Sequence, residues 1–317
     1  MSPARRYEEV LGDVAEGRLK LNEPLGRYTV ARLGGPADAL ITVDTVELLT
    51  KVVYLAWESN WRMRILGGGA NVLISDLGYR GLIVINNAKA VTIQDDGRVI
   101  ADSGAVLTHL ARQTMSRGLS GFEWAISVPG TLGGAIVNNA GAHGGDMAAC
   151  LVCAEIALPR RPPEDWPVAR LNYGYRESAL KRHPSPFAVL SGQLQLSPGH
   201  DPAELQRHAD EFVAHRKRTQ PPGASLGSMF KNPPGDYAGR LIEAAGLKGT
   251  RIGGVMISPV HANFFINTGG GTASDYLALI RLACATVFKR FGVELSLEVE
   301  LIGEGFETEA NQNPTTA

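Results

Sequence analysis

The chain has 317 residues, 44% of them hydrophobic and 20% charged, an ordinary globular balance with material for a large core. Its formal net charge is -1 with no massing of basic residues, which argues against a nucleic-acid partner, and no apolar run approaches the ~18 residues a membrane helix needs. The N-terminus, Met1-Ser2-Pro3-Ala4-Arg5-Arg6-Tyr7-Glu8-Glu9, lacks the apolar centre of a secretory signal, so the chain reads as cytoplasmic.

At roughly 100–200 residues per domain the length predicts two or three domains. Residues 1–20 and 46–60 read as amphipathic helices, the second with Leu48, Leu49, Val52, Val53 and Ala56 on one face. Strands follow at 62–66 and 81–86, and this alternation predicts a first α+β domain over 1–85. A second domain, 86–218, opens with a hairpin: 91–94, the turn Asp95-Asp96-Gly97, then 98–102. Val106, Leu107, Leu110, Ala111, Thr114 and Met115 form a helical stripe that Gly118 suits as a stop. Strands are predicted at 151–158 and 187–196 around an exposed loop, Pro159-Arg160-Arg161-Pro162-Pro163, and a helix over 202–218. Pro221-Pro222-Gly223 breaks the chain before a third domain, 219–303. That domain should hold helices over 236–245 and 274–291, the latter with Tyr276, Leu279, Ile280, Ala283, Val287 and Phe288 on one face, and a last strand over 294–302. Residues 304–317 are acidic, then polar, and read as a disordered tail.

Cys150-Leu151-Val152-Cys153 has the spacing of a redox pair or half a zinc site, but no second pair completes a metal set. Its apolar setting predicts buried, inert thiols. His208 and His215 share one face of the 202–218 helix, and Glu204 and Glu211, four residues before each, favour ordinary i,i+4 pairs over a metal site.

Glycine, at 37 residues, exceeds the usual ~7% and is clustered. Gly67-Gly68-Gly69-Ala70-Asn71 follows a strand and offers successive N–H groups to an anion. It matches neither G-x-G-x-x-G nor a P-loop. A second loop, Ser127-Val128-Pro129-Gly130-Thr131-Leu132-Gly133-Gly134-Ala135, has a stiffened entry and small residues that permit close backbone approach. The two, in two adjacent domains, together suggest a diphosphate held between domains.

Here a resemblance becomes specific. Leu66 to Leu73, Val128 to Ala135 and Asn139-Ala140-Gly141 are similar to the UDP-N-acetylenolpyruvoylglucosamine reductase (UDP-N-acetylmuramate dehydrogenase) family. So are Tyr173-Gly174-Tyr175-Arg176-Glu177-Ser178, Gly227-Ser228-Met229-Phe230-Lys231-Asn232-Pro233, Ala238 to Gly246 and Glu298 to Gly303, in the family's order over roughly residues 20–303. The length and the single Gly-Tyr-Arg-x-Ser segment resemble the shorter family type. His143 stands where the family commonly has tyrosine, Asp146 where glutamate is frequent, and Arg240 where tryptophan or lysine is frequent.

The resemblance implies an α+β fold: a two-subdomain FAD-binding fold of the vanillyl-alcohol-oxidase type plus a C-terminal α/β substrate-binding domain. It implies FAD as cofactor, NADPH as co-substrate and reduction of an enolpyruvyl ether on a UDP-sugar, in peptidoglycan precursor synthesis. No obligate protein partner is evident. Gly67, Gly68, Gly69, Asn71, Ser127, Pro129, Gly130, Thr131 and Gly134 would hold the cofactor. Tyr175, Lys231 and Asn232 would hold the substrate, and Arg176, Ser228 and Glu298 would be catalytic.

Each catalytic assignment has a chemical rationale beside a plainer one. Arg176 stays protonated and forks onto a carboxylate, though beside Glu177 it also reads as an exposed pair. Ser228 would protonate the carbanion left by hydride addition, or simply cap a turn. Glu298 would hydrogen-bond the developing enolate as a carboxylic acid, its pKa raised by the substrate's carboxylate. Period-2 alternation cannot separate Glu298 from Glu300; the family register Glu-Val-x-x-Ile-Gly selects Glu298. Two rivals stand beside this reading: another flavin oxidoreductase on the same FAD fold, and a non-catalytic nucleotide-binding module.

Overall fold

A computed structural model describes residues 3–306 of the chain, so the tail expected over 304–317 lies, from 307 onward, outside the described residues. The chain packs as two compact units: residues up to 21, 39–68 and 81–216 form the first, and 22–38, 69–80 and 217 onward form the second. Segments 22–38 and 69–80, expected in a first domain, therefore belong with the C-terminal region. The reason is apolar: Ala31, Leu33 and Leu73 join the core built by that region. Val72–Ile74 also pairs in parallel with Glu300–Ile302.

The first unit has two cores. In one, the helix Val46–Glu58 buries Leu49, Val52, Val53 and Ala56 against Ala39, Ile41 and Val43 of one strand and Leu82 and Val84 of another. Burying a Leu or Val side chain is worth about 1.5–3 kcal/mol. Thr45 starts the helix by accepting the Leu48 N–H on its hydroxyl. The sheet runs Leu19–Pro24, Pro36–Val43, Tyr79–Asn86, Met63–Leu66, its last pair parallel. The helix expected over 1–20 is shorter. It spans Pro3–Leu11, yields to a tight turn at Gly12–Ala15, and Leu19 already begins a strand.

The other core lies on a five-stranded antiparallel sheet, in the order Glu164–Pro167, Leu151–Ala157, Ala188–Gln195, Arg98–Asp102, Val91–Ile93. The predicted Asp-Gly hairpin joins its last two strands. Leu107–Ser116, Leu132–Asn138 and Pro202–Thr219 are helical and contribute buried residues to the core.

In the second unit the antiparallel sheet runs Ala224–Ser228, Phe264–Asn267, Val255–Ile257, Arg251–Ile252. The helix Ala273–Phe291 buries Tyr276, Leu279, Ile280, Ala283 and Val287. Thr272 and Asp275 close its N-terminus as a reciprocal capping box. Phe288, expected on the buried stripe, is instead exposed. Among the described residues no helix is long and apolar enough to cross a membrane.

Candidate functional site

In the first unit the two glycine loops interlock. A Cβ on Gly67 would lie 2.1 Å from Thr131 Oγ1, and one on Gly68 would lie 3.2 Å from Gly130 Cα. Only glycine at 67 permits that approach. On the other side the space is open, since a Cβ at Gly130 or Gly134 would meet nothing within 4 Å. The result is a small-residue cradle with the Thr131 hydroxyl at its wall. A nucleotide diphosphate or flavin fits such a surface, and side chains at 130 and 134 would fill it.

Ser127, at the cradle's entry, is braced twice. Its carbonyl accepts from the Arg216 guanidinium, and its Oγ lies 3.1 Å from His143 Nε2. The His143 ring stacks on Phe212 at 4.3 Å and meets His215 edge-on at 6.0 Å. Burial first, then His215 and Arg216, hold His143 below the usual histidine range. The helix Pro202–Thr219 thus presents Phe212, His215 and Arg216 to this loop. His215 faces His143 rather than serving only an i,i+4 pair. The sequence pattern showed two histidines on one helical face but not the ring they would meet. Among the described residues no group of three or more His, Cys, Asp or Glu could hold a metal. Burial pushes Cys150 and Cys284 up to about 12, as expected of inert thiols, whereas Cys153, expected to be buried with Cys150, is only partly so.

Arg176 stands on a tight turn in which Gly174 and Glu177 exchange both main-chain hydrogen bonds, at 3.1 and 3.2 Å. Its φ of 56° is unusual for a side-chain-bearing residue. The turn is held against the end of the helix Leu132–Asn138. The Tyr173 hydroxyl donates to Ile136 C=O, Ser178 Oγ to Val137 C=O, and the Arg176 guanidinium to Asn139 C=O and Gly141 C=O. Helix ends leave carbonyls without intrahelical partners, and a cation is favoured there. Asn139 answers with its amide, which donates to Gly174 C=O at 3.1 Å. Tyr175 projects from the turn, 57% exposed.

In the second unit the strand Ala224–Ser228 ends at Ser228, a bend follows at Met229, and Phe230 bridges Leu297. Ser228 pairs with Phe264, and Met229 donates its N–H to Asn263 C=O. On the opposite edge Glu298 donates its N–H to Met229 C=O, and Lys231 donates its N–H to Ser296 C=O. Ser228 ends the strand Ala224–Ser228, while Glu298 lies on a bend before Glu300–Ile302, the only part of the strand expected over 294–302 that forms. Glu298 is half-buried where Glu294, Ser296 and Glu300 are exposed. A register shift between Ser225 and Ser228 marks a bulge, with Gly227 at φ 78° inside it. Bulges re-aim the side chains that follow them.

Two residues expected to contact ligand have structural commitments as well. The Asn71 amide donates to Glu298 C=O, and the Asn232 carboxamide oxygen caps the helix Ala238–Ala244 by accepting the Ala238 N–H. Gly69 and Asn71 lie in the second unit, apart from Gly67 and Gly68 in the division of the chain.

Two family models match the chain: an FAD binding domain over residues 37–160, and the C-terminal domain of UDP-N-acetylenolpyruvoylglucosamine reductase over 218–302. A reductase of that name from Rubrobacter xylanophilus is 45% identical, covering 90% of this chain and 95% of the relative. One from Chloroflexus aggregans is 44% identical, covering 90% and 97%. Among solved structures, the reductase from Thermus caldophilus has a TM-score of 0.75 at 34% identity, covering 89% of this chain and 97% of its own.

Proposed function

The chain belongs to the UDP-N-acetylenolpyruvoylglucosamine reductase family, and from that premise we propose how its own residues carry the reaction. The protein is an FAD-dependent oxidoreductase that reduces the enolpyruvyl group of UDP-N-acetylenolpyruvoylglucosamine to UDP-N-acetylmuramate with NADPH, in peptidoglycan precursor synthesis. When bound, FAD supplies the hydride-transfer chemistry. Gly67, Gly68, Gly69, Asn71, Ser127, Pro129, Gly130, Thr131 and Gly134 would hold it. A cytoplasmic location is part of this reading.

Reduction of the enolpyruvyl double bond places negative charge on the substrate's carboxylate side and leaves a carbon to be protonated. Arg176 stabilises that charge as a permanent cation, with its guanidinium oriented by the Asn139 and Gly141 carbonyls. Glu298, as a carboxylic acid, donates a hydrogen bond to the enolate oxygens. Ser228 Oγ delivers the proton to the carbon bearing the carboxylate. Lys231 and the amino end of Asn232 bind oxygens of the sugar nucleotide, and Tyr175 packs on it.

The observation that supports the assignment is the main-chain bond from Glu298 N–H to Met229 C=O, which joins the stretch that carries Glu298 to the residue after Ser228. Ser228→Ala tests it in the FAD-loaded protein. Bleaching of the flavin absorbance by NADPH should proceed normally, while its recovery with the enolpyruvyl sugar nucleotide should slow by at least about 100-fold. Equal loss in both half-reactions would reduce Ser228 to a structural residue.

A further inference from the structure

We propose that Asn263 is the positioning residue that fixes Ser228 for proton donation, an inference that rests on the reading of Ser228 above. Asn263 is 3% exposed, in an otherwise apolar run, Ala262-Asn263-Phe264-Phe265. Its side chain makes two hydrogen bonds to one residue. Oδ1 accepts the Phe230 N–H at 2.9 Å, and Nδ2 donates to Phe230 C=O at 2.8 Å. Its own carbonyl accepts the Met229 N–H at 2.8 Å. An asparagine carboxamide carries the same donor and acceptor as a peptide group, so here a side chain does the work of a strand partner.

The need arises from how the sheet ends. Ser228 pairs with Phe264, and the strand Phe264–Asn267 starts there because the chain before it turns at His261. Without a substitute partner, Phe230 would lose its hydrogen bonds on that edge. The turn itself does not require the Asn263 amide. Ser258 Oγ accepts the Val260 and His261 N–H groups, and His261 C=O accepts the Phe264 N–H. The carboxamide is therefore committed to the neighbouring segment alone.

That segment needs support from its C-terminal side. Gly227 precedes Ser228 at φ 78°, and a Cβ there would meet nothing within 4 Å, so little on the N-terminal side restrains the hydroxyl's direction. Downstream the main-chain groups are committed on both edges: Met229 to Asn263 and Glu298, Phe230 to the Asn263 side chain, and Lys231 to Ser296. Removing the amide frees the peptide planes next to Ser228. A displacement of about 1 Å at a reacting group can cost about 100-fold in rate.

Asn263→Asp is the sharper variant. One oxygen still accepts the Phe230 N–H, while the other faces Phe230 C=O with no proton to donate. Asn263→Ala removes both bonds, and thermal melts of both variants establish that the protein compared is folded. In FAD-loaded Asn263→Asp, bleaching by NADPH should stay within about twofold of wild type, and reoxidation by the enolpyruvyl sugar nucleotide should slow about 10- to 100-fold. In a Ser228→Ala background the same substitution should slow reoxidation no further, because the group it aims is gone. Equal slowing of both half-reactions, or the same added slowing in the Ser228→Ala background, would overturn the positioning role. So would wild-type reoxidation in Asn263→Asp beside a crippled Ser228→Ala. Wild-type reoxidation in Ser228→Ala itself would overturn the reading of Ser228.

Discussion

The turn that carries Arg176 and the segment that carries Ser228 are held by opposite means. The turn is pinned by its own side chains. Tyr173, Arg176 and Ser178 each reach the carbonyls that end the helix Leu132–Asn138. The Ser228 segment is pinned mostly through its backbone, between 263–264 on one edge and 296–298 on the other. In the turn, chemistry and architecture share a residue. In the segment they are separated, and under the proposed mechanism Ser228 can specialise because its neighbours do the holding.

The largest expected difference follows from that contrast. Arg176→Ala should lower turnover by about 1000-fold, as loss of a preorganised charge partner does. It should also destabilise the protein by about 1–3 kcal/mol, because the carbonyls of Asn139, which caps the helix, and of Gly141 just beyond it lose their donor. Ser228→Ala should match much of the first loss with a stability change within about 0.5 kcal/mol. Paired denaturation and turnover measurements check this. A destabilised Ser228→Ala or a fully stable Arg176→Ala would break the comparison.

Ser178→Ala comes next. Ser178 is fully buried, donates to Val137 C=O at 2.6 Å and accepts the Lys181 N–H at 3.3 Å. Its loss should cost about 1–3 kcal/mol in a denaturant titration, from a residue with no chemical role. This also explains what was legible in the sequence. Tyr173, Gly174, Arg176 and Ser178 all work within one short motif, so the motif announces the turn. The partners of the 228–231 segment come from 263–264 and 296–298, and no local spacing announces them. The Gly227 segment consequently reads as a turn, although Gly227 and Ser228 end a strand and only Met229 bends. Asn263 passes unnoticed, and Phe212 and His215 are not connected to His143, because these are long-range contacts that period and propensity do not encode. The longer helices, the Asp-Gly hairpin and the Gly67 and Gly130 loops are local and legible, whereas the helix expected over 1–20 ends at Leu11.

The helix that supports the turn at one end lines the cradle at the other, and Gly134 lets the two ends be tested separately. A Cβ there meets nothing and lies within a helix, where alanine is favoured over glycine by up to about 1 kcal/mol. Gly134→Ala should therefore leave the FAD-free protein as stable or slightly more stable by thermal melt. It should weaken FAD retention, read as the flavin-to-protein ratio after gel filtration. Unchanged retention would place the cofactor elsewhere.

The smallest effect lies behind the Ser228 segment. His261 Nδ1 accepts the Asn263 N–H at 3.2 Å, so that nitrogen must be unprotonated. Burial first, then the Lys248 ammonium, lowers the His261 pKa, and Glu243 pulls weakly the other way. A pKa depressed in the fold means that the unfolded chain binds the extra proton first. The resulting stability is fully present above the ordinary histidine value of about 6.5 and is lost as pH falls below it toward the folded-state value. His261→Gln removes this titration. Its melting temperature should therefore decline less steeply than wild type between about pH 7 and pH 5. If the backbone of 228–231 depends on this support, the wild-type reoxidation half-reaction should weaken over the same interval while NADPH-driven reduction does not. Parallel slopes for His261→Gln and wild type would detach His261 from the segment and leave Asn263 as its support on that edge.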